Sequence, residues 1–136
     1  MSAFSASAGQ VLPELVIEAS VRNIVSTAIA TRDYQDVHHD VAMAQERGSA
    51  TIFTNILTSN GYCLRYVTDW TGPEAVVKKA SIRLGVPNYA GETMTMTGAV
   101  TETETTPDGQ LLTVAVRGAN SLGDHVTGTV TVLVPA

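Results

Sequence analysis

The sequence predicts an α+β domain, an antiparallel sheet whose helices are gathered ahead of it in the chain. Three observations carry this. Up to residue 67 the apolar residues recur at helical spacings. From residue 74 on, four runs rich in Val, Thr and Ile follow one another with only short turns between them, which means antiparallel pairing. The stretch 51–67 holds no charged residue before Arg65, so a helix there is buried on several sides, and a sheet curling around it is the arrangement that buries it.

Residues 1–10, small and polar, are expected to form a loose tail, and residues 11–136 a single domain. Residues 12–18 alternate loosely after Pro13 and predict a short edge strand. Ser20 reads as an N-cap. Val21, Ile24, Val25, Ala28 and Ile29 then fall at i, i+3, i+4, i+7 and i+8, a helix stripe that ends near Arg32. Residues 41–47 predict a short helix capped by Asp40 and stopped by Gly48. The long helix is expected over 51–67, with Ile52, Phe53, Ile56, Leu57, Asn60, Cys63, Leu64 and Val67 on its inner face. Gly72 and Pro73 punctuate its end. The strands are expected over 75–86, 92–103, 110–120 and 125–134.

Between the first two helices lies the stretch richest in chemistry. Residues 31–40 carry three carboxylates, Asp33, Asp36 and Asp40, and two of the three histidines, His38 and His39. Acid–base groups on a short loop between regular elements are what a site held by a rigid scaffold looks like. On chemistry alone, Asp33 as a catalytic group and Asp33 as a backbone-bonding loop residue stand about level. A metal held by Asp36, His38 and Asp40 would require the loop to fold around it, and none is expected. His39 reads as a solvent-facing or loop-bonding residue and His125 as a turn residue. Cys63 reads as inert core. Asn60 is the polar exception on an apolar stripe and either meets backbone or lines a substrate tunnel.

Composition excludes several classes. The net charge is −5 and only 15% of residues are charged, with no basic stripe to neutralise phosphates, so nucleic acid is not an expected partner. No apolar run approaches the roughly 20 residues a membrane span needs. One cysteine forms no internal disulfide, and the N-terminus lacks the basic start and apolar run of a signal peptide, so a cytoplasmic protein is expected.

Taken together the residues resemble a known family. The order of helix, Asp-x-x-x-x-His loop, short helix, apolar helix and four strands resembles the hot-dog fold of the MaoC-like (R)-specific enoyl-CoA hydratases. Asp33 and His38 keep the family's spacing, and Gly91 and Glu92 match its Gly-acid turn. Residues 32–40, 55–58, 65–70 and 122–126 resemble the small catalytic MaoC-like subunit of actinobacterial hydratases of steroid side-chain degradation. The spacing alone is weak; the whole set is specific. Gln35 and Asp36 stand where the wider family has Asn and Pro, and Thr54-Asn55 where it has His-Gly.

The resemblance implies hydration of a 2-enoyl-CoA thioester with a bulky acyl group. That reaction needs a base for the water, an acid for the α-carbon and a donor for the enolate oxygen. By resemblance Asp33 activates the water, His38 shares and redelivers its proton, and the backbone N–H of Asn55 at a helix start holds the oxygen. Lys78, Lys79 and Arg83 are weaker candidates, for coenzyme A phosphates, against the commoner reading of a solvated strand face. No cofactor beyond the substrate's own coenzyme A is implied. The expected partner is a second MaoC-like chain in a heteromer such as a heterotetramer, the alternative being a homodimer. Two other functions share the fold: a non-catalytic subunit shaping a partner's acyl-CoA site, and a hot-dog acyl-CoA thioesterase.

Overall fold

The computed structural model describes residues 4–136. Strand β1 (Leu15–Glu18) leads into helix α1 (Val21–Ala30), then a 3-10 turn at Asp36–His38 and helix α2 (Val41–Glu46). Helix α3 (Ile56–Thr71) precedes strands β2 (Val76–Leu84), β3 (Thr93–Thr106), β4 (Gly109–Asn120) and β5 (Gly123–Pro135). The five strands form one antiparallel sheet in the order β1-β3-β4-β5-β2.

The local signals act where they stand. Ser20 Oγ accepts from Asn23 N and Asp40 Oδ1 from Met43 N, so both short helices start on their expected caps. Gly48 takes the left-handed φ of 96° that ends the second one.

Helix α3 lies against the inner face of the sheet. Its Cys63, Tyr66 and Val67 share one core with Met94, Met96, Leu112, Val114, Val130 and other inward residues of β3, β4 and β5. A second, smaller core joins Ala19, Ile24, Ala44 and Ile52, with Val25, Val37 and Ala90 against it. This one sits beneath the 31–40 loop and fixes α1, the 3-10 turn and α2 relative to one another.

Three expectations change. Helix α3 begins at Ile56, five residues later than expected, with Asn55 as its cap. Ile52 is buried in the second core, and Ile56 and Leu57, expected on the inner face, are exposed; Thr58 and Ser59 are buried instead. Residues 4–10, expected to be loose, are held down. Ala6 is buried and exchanges hydrogen bonds with the Gln110 side chain, Gly9 N–H donates to Val100 O, and Phe4 meets Trp70 edge to face. Residues 1–3 of the expected tail lie outside the described residues. Finally, β4 and β5 shift register between Gly118 and Ala119, which leaves His125 as the extra residue of a bulge.

Candidate active site

Asp33 owes its position to the way α1 ends. Arg32 N–H donates to Ile29 O and Asp33 N–H to Ala28 O, the paired bonds of a Schellman turn. Arg32 occupies the left-handed position with φ 58°, where glycine is the usual residue. The turn throws Asp33 off the helix end, and Gln35 N–H closes onto its Oδ1 at 3.2 Å. His39 Nε2–H then donates to the Asp33 carbonyl at 2.7 Å, tying the far side of the loop back to its start.

His38 is the inward residue of the 3-10 turn, 5% exposed, and its ring meets Phe53 edge to face. Its Nδ1 lies 2.7 Å from the Phe53 carbonyl. A carbonyl only accepts, so Nδ1 carries a proton, and Nε2 is the ring nitrogen turned toward Asp33. That Nε2 is 3.4 Å from Asp33 Oδ2. Oδ2 and Nε2 at this separation can share one proton or bind one water between them.

The third wall is the 53–55 segment. Phe53 N–H donates to Val37 O and Thr54 N–H to Asn88 O. Fully buried Asn88 donates from Nδ2 to Thr54 Oγ1 and accepts from Asn120 Nδ2. Stitched on both sides, the segment delivers Asn55, 2% exposed, to the N-terminus of α3. No atom of the described residues accepts from the Asn55 backbone N–H, and the partial positive end of α3 is centred there. The Asn55 side chain reaches Thr31 Oγ1 at 2.9 Å and Asp33 Oδ2 at 3.1 Å.

The charge on Asp33 answers to opposing effects. Burial pushes its carboxyl up, but the hydrogen bonds from Asn55 and Gln35, with the nearby His38 and His39 rings, outweigh it and hold the group below the usual carboxylate range.

Beside His38 opens a cavity of about 280 Å³, lined also by Phe53, Thr54, Ile56, His125 and the 84–87 segment. His125 is not the turn residue expected but is 2% exposed. As the bulge residue it breaks the in–out alternation and points inward beside Val126. Its Nδ1–H donates to Val86 O and its Nε2 accepts from Ser59 Oγ–H, each at 2.7 Å, so the base of β5 is fastened to the first turns of α3. Burial pushes its pKa down.

The structure thus brings together Asp33, His38 and Asn55, and adds Asn88 and Ser59, which the sequence left unmarked, and His125, which it read as a turn residue. Nothing in strand alternation signals a bulge residue, and Asn88 stands in a turn where Asn is ordinary. Asn60 is half-buried on α3 and does not line the cavity. Lys78, Lys79 and Arg83 are exposed on the edge strand β2. Arg83 adjoins cavity-lining Leu84, whereas Lys78, six residues back, is roughly 20 Å away along the strand. Asp36 pairs with Arg47 at 2.9 Å and Asp40 caps α2, and no group of three potential metal ligands gathers among the described residues.

No family model matches the chain. Over 122 residues it is 57% identical to the 3-oxo-4,17-pregnadiene-20-carboxyl-CoA hydratase beta subunit of Mycobacterium tuberculosis, covering 90% of this chain and 92% of that protein. A chain of the ChsH1–ChsH2 complex from Mycobacterium tuberculosis superposes with a TM-score of 0.88 at 53% identity, covering 96% of this chain and 99% of that one. The (R)-hydratase of A. caviae involved in PHA biosynthesis superposes with a TM-score of 0.83 at 20% identity, covering 98% and 100%, and shares the hot-dog fold. No helix among the described residues is long and apolar enough to cross a membrane. With the Asp-x-x-x-x-His loop set against the first turn of the central helix, and this degree of identity along nearly its whole length, the chain belongs to the MaoC-like enoyl-CoA hydratase family.

Proposed function

We propose that this chain is the catalytic subunit of a hydratase that adds water to a 2-enoyl-CoA thioester carrying a bulky, steroid-derived acyl group. The observation that carries the reading is the 3.4 Å pairing of Asp33 Oδ2 with His38 Nε2 beside the unpaired N–H of Asn55. A water gripped by Asp33 and His38 loses a proton to the pair as its oxygen bonds to the β-carbon. The electrons of the C=C bond shift to the thioester oxygen, which the Asn55 N–H and the α3 dipole stabilise. His38 returns the proton to the α-carbon, so one water is added and the pair ends as it began. Both new bonds form on the face that meets the dyad, which makes the addition syn.

The steroid acyl group follows from the relative named for a pregnadiene-carboxyl-CoA. That relative is a beta subunit, and the ChsH1–ChsH2 structure is a complex. A second MaoC-like chain is therefore the natural partner here. The exposed apolar residues of the edge strand β2, Val76, Val77 and Leu84, are surface that such a partner covers.

The test is to co-express the chain with a neighbouring MaoC-like gene product and follow 3-oxo-4,17-pregnadiene-20-carboxyl-CoA. Loss of the enoyl absorbance without release of free thiol supports a hydratase; thiol release identifies a thioesterase. Activity that resides wholly in the partner, and survives loss of Asp33 here, makes this chain a non-catalytic subunit.

A further inference from the structure

Asn55 stands where the wider family resembled by this chain has glycine. The substitution costs nothing in the backbone, whose φ of −79° and ψ of 160° are extended values open to any residue. What the side chain does there is specific. Oδ1 accepts from Thr58 N–H at 3.3 Å and caps α3. The two hydrogens of Nδ2 go to Thr31 Oγ1 at 2.9 Å and Asp33 Oδ2 at 3.1 Å. Every polar atom of a side chain that is almost wholly buried is thereby used, and the amide has only one orientation that satisfies all three partners.

The oxygen it grips is the one that faces His38. Asp33 Oδ1 is held by Gln35 N–H and Oδ2 by Asn55, so each carboxylate oxygen has one protein donor, and the lone pairs left on Oδ2 are aimed at the space shared with His38 Nε2. Glycine at 55 would keep the backbone N–H but leave Oδ2 without a protein donor.

We infer that Asn55 is a positioning residue for the base: its side-chain amide clamps Asp33 Oδ2 in its working orientation while the N–H of the same residue marks the enolate oxygen site, so one residue sets the spacing between the two halves of the reaction. This rests on the reading of Asp33 as the water-activating group. A consequence is that the clamp also favours the carboxylate form; the charged or titrating groups facing Asp33 are His38 from the 3-10 turn and His39 from the loop.

Capping and clamping separate cleanly. In Asn55→Asp the residue still caps α3, but an oxygen replaces the donor facing Asp33, and two carboxylates are set against each other. Wild type, Asn55→Asp, Asn55→Gly and Asp33→Asn are each purified with the MaoC-like partner and assayed on 3-oxo-4,17-pregnadiene-20-carboxyl-CoA across pH, with a thermal melt of each. Asn55→Asp is expected to melt lower than wild type, since a carboxylate replaces a buried amide donor, and among the folded protein to lose roughly 10- to 100-fold in kcat with little change in KM, because the base is misaimed and not because substrate is lost. The acid limb of its pH profile moves up. Asn55→Gly is expected to lose less kcat and show the same direction of pH shift; it decides the matter if Asn55→Asp does not fold. Wild-type kcat and acid limb in the folded variants, with Asp33→Asn inactive, overturn the clamp alone. An active Asp33→Asn overturns the dyad and the clamp together.

Discussion

Replacing Asp33 with Asn removes one charge and one proton acceptor while keeping the size of the side chain. Two quantities separate its chemical from its structural effect. In the proposed role of water-activating group, Asp33 would contribute about 10²–10⁴-fold, equivalent to about 2.7–5.5 kcal/mol on the barrier. Its structural share is smaller. The side chain is 20% exposed and accepts two protein hydrogen bonds, one of which Asn still accepts, so the fold loses about 1 kcal/mol, or a few degrees in melting temperature. Turnover should therefore collapse in a protein that still melts cooperatively. His38 needs a gentler change than Ala, since it is buried against Phe53 and donates to the Phe53 carbonyl. His38→Asn keeps a donor near the Nδ1 position and loses Nε2, so it tests the same pair while leaving a smaller gap than Ala would. The double variant should be little worse than either single one, because the two act as a unit. His39→Ala loses a loop hydrogen bond but no reacting group and should cost only several-fold, in line with about 1 kcal/mol. The assay is loss of enoyl absorbance by the assembled complex, with a melt on each variant. A folded Asp33→Asn complex within a few-fold of wild-type turnover refutes the reasoning, and the base must then be sought elsewhere.

Two further expectations concern stability. His125 is buried and its pKa is held below the ordinary 6.5, so below about pH 6.5 the unfolded chain takes up a proton that the folded chain resists. Its contribution is whole above that pH and falls away as pH drops toward the folded value; His125→Gln should melt lower at neutral pH and show a flatter decline between pH 7 and 5, and equal slopes would exclude the residue as a source of acid sensitivity. Arg32→Gly should raise the melting temperature by a few degrees, because glycine relieves about 1 kcal/mol of left-handed strain at the Schellman position; a lower melting point would mean that the arginine side chain supports the turn more than its backbone strains it.

What could be read in advance follows from how local each cause is. Ser20, Asp40 and Gly48 act on backbone within four residues, and they announce the ends of α1 and α2 correctly. The four strands and their turns are legible for the same reason. The start of α3 is not, because Ile52 and Phe53 continue its apolar run while serving a different core and a different bond: Ile52 packs under the loop, and the Phe53 carbonyl fixes the His38 tautomer. Hydrophobic spacing records that a residue is buried, not what it is buried against. The Asp33–His38 spacing is visible, but the clamp from Asn55, 22 residues on, depends on how the second core docks α1 against the start of α3. His125 is hidden by a bulge, which moves one residue across the sheet without any change in composition.

On the proposed reading, the acid–base groups and the acyl chamber make different demands on the chain, and only the first are met within it. Asp33, His38 and Asn55 are held by bonds internal to the loop and to α3, and need nothing from outside. The cavity beside them, about 280 Å³, lies just below the range of pockets that enclose a drug-sized ligand, and the fused steroid ring system proposed as substrate calls for more. Its rim is apolar and exposed: Ile56 is 54% exposed and Leu84 38%, and both line the cavity with His38. Apolar residues at the mouth of a pocket are covered either by the acyl group or by another chain, and the free edge of β2, which runs into Leu84, offers the place where a second sheet joins. A partner seated there would complete the chamber without touching the dyad. On the proposed reading, choice of acyl group belongs to the interface and the rate of hydration to this chain, so substitutions at Ile56 or Leu84 should act on KM and acyl preference, and those at Asp33, His38 or Asn55 on kcat.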